Sequence, residues 1–376
     1  MDPNLLDWNS PRNELFFNPR WPVNVQDFFR KAVAAWLKEN NISHGIFIPT
    51  SGTTASDLRD TKIAILKKSA FLNAAEGVGK YFGFSSEDRV AVMLPRFHVG
   101  GLSQEARQFV WGQSLFTFAQ KWDPRAFVQF VTDHRITHTS LVPTQLYDLV
   151  QAGIIAPPSL RSVLIGGGPL GEELQKRAEH LHWSLQVTYG MTETAAMVAV
   201  KSAAGFNAFS HAQLALSEDQ FLKIKSTSLF EGYLRRQGTT LVFDQGSRRD
   251  DWFITQDQAV ESAGGYQILG RANDYAKIGG EGVYLGRLQT LLQDCWLLAG
   301  ISSLGSGVLQ FYPSPRLGAE VHLISTLSAA EVSLARDMFN QKVLPFERIR
   351  GFHQVQDIPV TELGKFRQLE ALREEK

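Results

Sequence analysis

Between residues 189 and 194 the chain reads Tyr-Gly-Met-Thr-Glu-Thr. A tyrosine, a glycine, two threonine hydroxyls and the Glu193 carboxylate leave a strand-like stretch together. A carboxylate beside a hydroxyl suits a magnesium ion and a phosphate oxygen, with Glu193 as the hard anionic ligand and Thr192 as the partner of the phosphate. A plain helix start capped by Thr192 fits the same letters. A second concentration, Thr50, Ser51, Gly52, Thr53 and Thr54, follows the apolar run Ile46-Phe47-Ile48. Small residues there let backbone N–H groups form a concave anion nest, with hydroxyls as extra donors. Lys62, further on, would supply a point charge to polyphosphate. This is not a Walker sequence, which needs Gly, Lys and Ser/Thr in succession, and a solvent-exposed turn shares its composition.

Two further stretches invite chemistry. Gly166, Gly168 and Gly171 satisfy G-x-G-x-x-G between a predicted strand and a predicted helix, which admits a dinucleotide site and an NAD-linked oxidoreductase as a minor alternative. Pro169 sits inside the turn, however, and the next strand, LQVTYG, ends without the acidic residue that would hold a ribose. His98, in LPRFHVGG, is placed to be a general base or a structural hydrogen-bonder. No G-x-S-x-G elbow accompanies it, and no histidine pair shows zinc-ligand spacing.

These groups need a scaffold, and the chain's periodicity supplies one. Apolar residues at helical spacing mark 23–39, 67–82, 102–111 and 123–134, the last with an Asp cap and a proline at its first position. GIFIP, RVAVMLP, SLFTFA, THTSLVP, SVLIGG and LQVTYG read as strands, with PTQLYDLVQ and GEELQKRAEHL as helices between them. Such alternation implies right-handed crossovers and a largely parallel sheet covered by helices. Ligands then gather beyond the carboxyl ends of the strands, where all four stretches are expected to lie. After about residue 205 come short strands with turn-like joints, FLKIKS, TLVFD and GYQILG. From 275 an α+β piece follows, with helices at 285–293, 329–342 and 365–374 around strands near 308–312 and 319–325. The fold class expected is α/β: a large layered α/β N-terminal domain with an added β-rich subdomain, plus a small α+β C-terminal domain. The glycine-rich GRANDYAKIGGEG marks the joint, giving domains 1–272 and 273–376.

Composition narrows the function classes. The 376 residues are 44% hydrophobic and 20% charged, with 38 basic and 38 acidic side chains. That balance argues against a nucleic-acid binder. One cysteine, Cys295, allows no internal disulfide and suits a reducing compartment. The start, MDPNLLDWNSPRNE, lacks the basic head and apolar core of a signal peptide, and no apolar run approaches the length of a membrane span. A cytoplasmic protein acting on small molecules, with neither nucleic acid nor membrane as partner, is the expectation.

Taken in order, TSGTT, LPRFHVGG, SLVPTQL, GGGPL, YGMTET, WFITQD, GRANDYAKIGGEGV and TELGKF resemble the adenylate-forming superfamily of acyl- and aryl-CoA ligases, over roughly residues 45 to 370. Within it, LPRFHVGG, SLVPTQL and GGEGVY are most similar to the o-succinylbenzoate–CoA ligases of menaquinone biosynthesis. The resemblance implies two steps. A carboxylate attacks the α-phosphate of Mg·ATP to give an acyl-adenylate and pyrophosphate; the thiol of coenzyme A then displaces AMP. It implies that Thr50, Ser51, Gly52, Thr53 and Thr54, with Lys62, cradle the β- and γ-phosphates. Gly167, Gly168 and Gly190 would allow close approach of adenine and acyl groups, and Tyr189 would stack near the base. Thr192 would bind the α-phosphate, Glu193 would ligate magnesium, and Asp257 and Arg271 would take the ribose hydroxyls. Phe97 and His98 would wall the acyl pocket, and Lys365 would bridge the attacking carboxylate and the α-phosphate. The C-terminal domain would be mobile, turning at Asn273.

The chain also departs from the family. Ala55 stands where relatives usually carry glycine, and Asp57 and Asp60 precede Lys62. Only 49 residues precede Thr50, where a longer N-terminal subdomain is usual, so pocket closure is open to a partner subunit in a homo-oligomer. An o-succinylbenzoate substrate keeps a second carboxylate on its ring, and burying it unpaired would be costly. Arg107, nine residues after His98, is the expected donor, unless it is a surface arginine of that helix. Two other readings stand beside this one: an adenylating enzyme for another acid or a carrier protein, and a nucleotide-binding member with impaired catalysis.

Overall fold

The computed structural model describes residues 5–50 and 61–358. Five parallel strands form the expected block, in the spatial order Leu185–Met191, Ser162–Ile165, His138–Leu141, Arg89–Val92, Ser114–Thr117. The central strands Ser162–Ile165 and His138–Leu141 are buried on both faces, which is why they read as short runs, while the edge strand Ser114–Thr117 is partly exposed. Ile136, Leu141, Val163, Ile165 and Trp183 sit in the largest core. The helices at 123–134 and 143–151 begin within a residue of where the sequence says, while the one expected at 102–111 begins at Val99. Asp123 accepts the Ala126 N–H at 2.8 Å ahead of Pro124–Asp133, and Pro143 opens Pro143–Gln151. Gly83, at φ +67°, closes the helix Lys68–Phe82 in the left-handed conformation.

Most of the short strands after residue 195 extend this same sheet, while TLVFD, at Thr240–Asp244, joins another sheet. Ala196–Ser202 pairs antiparallel with Leu185–Met191, and Gly205–Ala208, Gly265–Arg271, Trp252–Ser262, Phe221–Ser226 and Ala212–Leu216 follow in that spatial order. Leu185–Met191 therefore has a parallel neighbour, Ser162–Ile165, on one side and an antiparallel one, Ala196–Ser202, on the other.

One expectation is corrected. The strand Gly45–Pro49 does not belong to the parallel block. It pairs antiparallel with Ile63–Lys67 in a separate five-stranded sheet with Glu14–Leu15, Gly232–Gln237 and Thr240–Asp244. The Thr50 run thus leaves one arm of a hairpin, and the chain returns at Lys62. The Thr50 N–H donates to the Lys62 carbonyl at 2.8 Å, closing the hairpin's mouth. Ile63–Lys67 escaped notice because a five-residue apolar run directly before a helix has too little periodicity to declare itself. Ser51, Gly52, Thr53 and Thr54 lie outside the described residues.

From Tyr275 onward the chain makes the hairpin Tyr275–Ile278/Glu281–Tyr284, the helices Leu285–Leu298 and Ser333–Lys342, and a three-stranded sheet of Gly307–Ser314, Gly318–Ser325 and Ile349–Gln354. These pieces enclose their own core around Leu292, Trp296, Val321, Leu323 and Phe339. Leu297 and Leu304 instead enter the largest core, and Tyr147 Oη donates to the Ile301 carbonyl. The helix expected at 329–342 begins at Ser333; the one expected at 365–374, with Lys365, lies outside the described residues.

Candidate active-site cleft

A cleft of 1930 Å³ opens between these layers. It gathers Thr50, Lys62, His98, Arg107, Gly167, Gly168, Tyr189, Gly190, Thr192, Glu193, Asp257 and Arg271 from segments far apart in sequence. Asn273, in the short turn Ala272–Asp274, also lines it. Phe97 does not; its ring packs on that of His98 with centroids 4.7 Å apart.

The segment Tyr189–Glu193 runs through the middle. Tyr189 Oη donates to Asp257 Oδ2 at 2.6 Å, and Arg271 Nε donates to Asp257 Oδ1 at 3.2 Å. Burial, then the Asp257 carboxylate, pushes the Tyr189 phenol well above its ordinary pKa, so it stays a donor. Asp257 is 7% exposed and is held in one orientation by both neighbours. At the other end, Tyr233 Oη donates to Glu193 Oε1 at 2.6 Å. Burial, then Glu193, likewise raises the Tyr233 phenol. Among the described residues Glu193 Oε2 has no hydrogen bond. Hard oxygen donors from one carboxylate and the Thr192 hydroxyl suit magnesium, which is commonly held by one or two carboxylates plus substrate phosphates. No group of three or more His, Cys, Asp or Glu suited to a metal occurs among the described residues. Thr192 is not the local cap: Thr194 Oγ1 accepts the Met191 N–H at 3.1 Å and donates to the Ala196 carbonyl at 2.8 Å.

The glycines have distinct reasons. Gly167 adopts φ +83°, a conformation that a side chain would strain. At Gly190 a Cβ would collide with the Ala196 carbonyl of the adjoining strand. At Gly171 a Cβ would collide with the Asp294 carboxylate, which accepts the Leu174 N–H at 3.3 Å. Asp294 thus occupies the N-terminus of the helix Glu172–His180. A dinucleotide pyrophosphate would need that position, so the NAD-linked alternative is set aside.

Arg107 lies on the helix Val99–Trp111 and is 3% exposed. It is not a surface arginine. Its Cζ stands 5.9 Å from the centre of the Phe84 ring, its Nη1 is buried without a hydrogen-bond partner, and it forms no ion pair among the described residues. Burial lowers its pKa to about 10, so the guanidinium remains charged at neutral pH. A buried, uncompensated cation on a cleft wall is costly unless an anion enters. His98 caps the same helix through its backbone: its carbonyl accepts the Gly101 N–H at 3.0 Å.

Two residues of this site, Tyr233 and Arg235, were not singled out in the sequence. They sit two apart in GYLRRQ and so share one face of a strand. That alternation is the signal, but nothing local ties it to Glu193, 40 positions away.

Comparison with known proteins accords with this geometry. The AMP-binding enzyme family matches residues 11–218, more than half of the chain. The 2-succinylbenzoate–CoA ligase of Bacillus pumilus is 28% identical over 230 residues, 56% of this chain and 46% of that protein. The enzyme of the same name from Enterococcus faecalis is 26% identical over 352 residues, 87% of this chain and 69% of that one. The chain therefore spans about half to two thirds of the length of these relatives. Among solved structures, Bacillus subtilis o-succinylbenzoate CoA synthetase (MenE) in complex with the acyl-adenylate intermediate OSB-AMP superposes with a TM-score of 0.74 at 20% identity, over 88% of this chain and 69% of that one. The same enzyme with ATP and magnesium ion gives 0.71 over the same shares. The structural likeness establishes the fold, and the sequence match establishes the membership: this chain belongs to the AMP-binding enzyme family.

Proposed function

We propose that the chain is an ATP-dependent ligase that adenylates o-succinylbenzoate and passes the acyl group to coenzyme A, in the cytoplasm. The observation behind the choice of acid is Arg107, a buried guanidinium on the cleft wall whose Nη1 has no hydrogen-bond partner and which forms no ion pair among the described residues. The ring carboxylate of o-succinylbenzoate would neutralise it, while a fatty acid would leave it uncompensated. The names of the curated relatives and the ligands of the structural neighbours support the same reading.

In this reading Asp257, oriented by Tyr189 and Arg271, accepts the ribose hydroxyls, and Thr192 donates to the α-phosphate. Glu193, steadied by Tyr233, holds a magnesium ion, which supplies charge neutralisation for the phosphates. The Gly167–Gly168 turn admits the adenine and acyl groups closely, and His98 walls the acyl pocket. The protein's work is to position the attacking carboxylate and stabilise charge; phosphoryl transfer asks little else. Lys365 would bring an ammonium to the carboxylate and α-phosphate, favouring the more anionic transition state over the ground state. Residues 273–376 would form a mobile unit turning at Asn273, and residues 1–272 the nucleotide-binding unit.

The test is direct. Purified protein is incubated with Mg·ATP, coenzyme A and o-succinylbenzoate, with benzoate, a fatty acid and no acid in parallel, and pyrophosphate and thioester are followed by mass spectrometry. Thioester with o-succinylbenzoate alone is expected. Pyrophosphate without thioester would shift the acceptor to a carrier protein, and no product with any acid would overturn the ligase reading.

A further inference from the structure

Two cations share one aromatic ring at the mouth of the Gly45–Pro49/Ile63–Lys67 hairpin. Lys62 Nζ lies 5.4 Å from the centre of the Tyr233 ring, and Arg235 Cζ lies 5.5 Å from it. The strand Gly232–Gln237 pairs antiparallel with Ile63–Lys67, setting Leu234 opposite Ile63, so Tyr233 and Arg235 flank the residue after Lys62. Tyr233, Arg235 and Lys62 all line the cleft. Two like charges gathered around one buried tyrosine repel each other, and the Lys62 ammonium is lowered in pKa by burial and then by Arg235, an effect that the Glu193 and Asp244 carboxylates oppose without cancelling. An anion placed against both would relieve that repulsion.

Among the described residues Arg235 has one carboxylate partner, Asp244, and both side chains are open to solvent, 43% and 37% exposed. Exposed pairs of this kind hold weakly, so the guanidinium can turn to a ligand at little cost. Asp244 keeps a second attachment through the Gly246 N–H at 2.8 Å.

Direction comes from the segment Tyr189–Glu193. Its tyrosine bonds Asp257 at one end, and its glutamate bonds Tyr233 at the other. A nucleotide laid along this segment with its sugar at Asp257 carries its phosphates to Glu193 and then to Tyr233, Lys62 and Arg235. We infer that Arg235, paired with Lys62 across the Tyr233 ring, binds the β- and γ-phosphates of the nucleotide and so distinguishes ATP and pyrophosphate from AMP. The inference rests on the nucleotide reading above and adds to it a binding residue on the Gly232–Gln237 strand.

The experiment measures binding of Mg·ATP, magnesium pyrophosphate and AMP by calorimetry to the wild type, Arg235→Gln, Arg235→Lys and Asp244→Asn. Loss of one charge-assisted contact weakens binding about 10- to 100-fold. Arg235→Gln is expected to weaken ATP and pyrophosphate by that factor and to leave AMP within about twofold, with Arg235→Lys recovering part of the loss. Asp244→Asn breaks the same ion pair but keeps the guanidinium, so ATP affinity should hold or tighten. Equal loss of ATP and AMP in Arg235→Gln, or an Asp244→Asn variant that reproduces its loss, would make Arg235 merely structural and overturn the inference. Unchanged ATP affinity in Arg235→Gln, with normal AMP binding, would overturn it while leaving the nucleotide reading intact. A wild type that binds neither nucleotide would overturn both.

Discussion

Replacing Arg107 by methionine should separate stability from function. The Arg107 side chain is 3% exposed, its Nη1 has no hydrogen-bond partner, and it forms no ion pair among the described residues. Methionine keeps most of the length and removes the buried charge, and exchanging a buried charge for an apolar side chain of similar volume is neutral or stabilising by about 1–4 kcal/mol. Its thermal midpoint is therefore expected to stay level or rise. With o-succinylbenzoate bound, the same change strands the ring carboxylate in a buried pocket, at a cost of about 3–5 kcal/mol. That corresponds to a fall of roughly 10²- to 10³-fold or more in kcat/KM. The assay compares o-succinylbenzoate with 4-oxo-4-phenylbutanoate, which has the same succinyl arm without the ring carboxylate. Only the dicarboxylate should suffer, and the wild type's preference for it should vanish. An equal fall for both acids, or a large drop in thermal midpoint, would refute the assignment of Arg107 to the ring carboxylate. The pH dependence has a definite sign. Arg107 carries its charge below about pH 10, so affinity for the dicarboxylate should fall as pH rises through that value while the analogue is unaffected.

Other expectations follow from the same structure. A Cβ at Gly77 would overlap the His211 ring, so Gly77→Ala should destabilise by about 1–3 kcal/mol through overpacking, despite alanine's better helix propensity; urea denaturation measures this. His138 and His211 are buried, and burial lowers both to about pH 4, opposed at His138 by Asp88. The unfolded chain then binds more protons than the folded one between about pH 4 and 6.5. Their contribution is complete above pH 6.5 and is lost as pH falls to 4, and replacing either by glutamine should flatten the acid limb of a stability profile. Lys365→Ala should lose adenylation by orders of magnitude, about 10³-fold for one transition-state contact, yet still convert a supplied acyl-adenylate with coenzyme A. Equal losses in both half-reactions would remove that role from the lysine.

The sequence by itself determined whatever is encoded over a few neighbouring residues. The cap at Asp123 and the prolines at 124 and 143 place their helices within a residue, because the forces that start a helix act within one turn, whereas periodicity alone misses the starts at Val99 and Ser333 by three and four residues. The run at 162–165 announces a strand of a parallel sheet for a similar reason, burial on both faces. YGMTET and the glycine turn at 166–168 were legible as site segments since their chemistry is contiguous. Pairing across the chain was decided only by the tertiary structure. The antiparallel return at Ile63–Lys67 makes Lys62 a neighbour of Thr50, and the strand Gly232–Gln237 brings Tyr233 to Glu193. Asp294, 120 residues away from Leu174 in sequence, closes the helix start that a dinucleotide would have needed. The Arg107 side chain reads in sequence as a surface arginine or a ligand donor equally well; burial without a counter-ion is what separates the two. In each case the deciding quantity is a register or a depth, set by how sheets and helices pack rather than by the letters beside the residue.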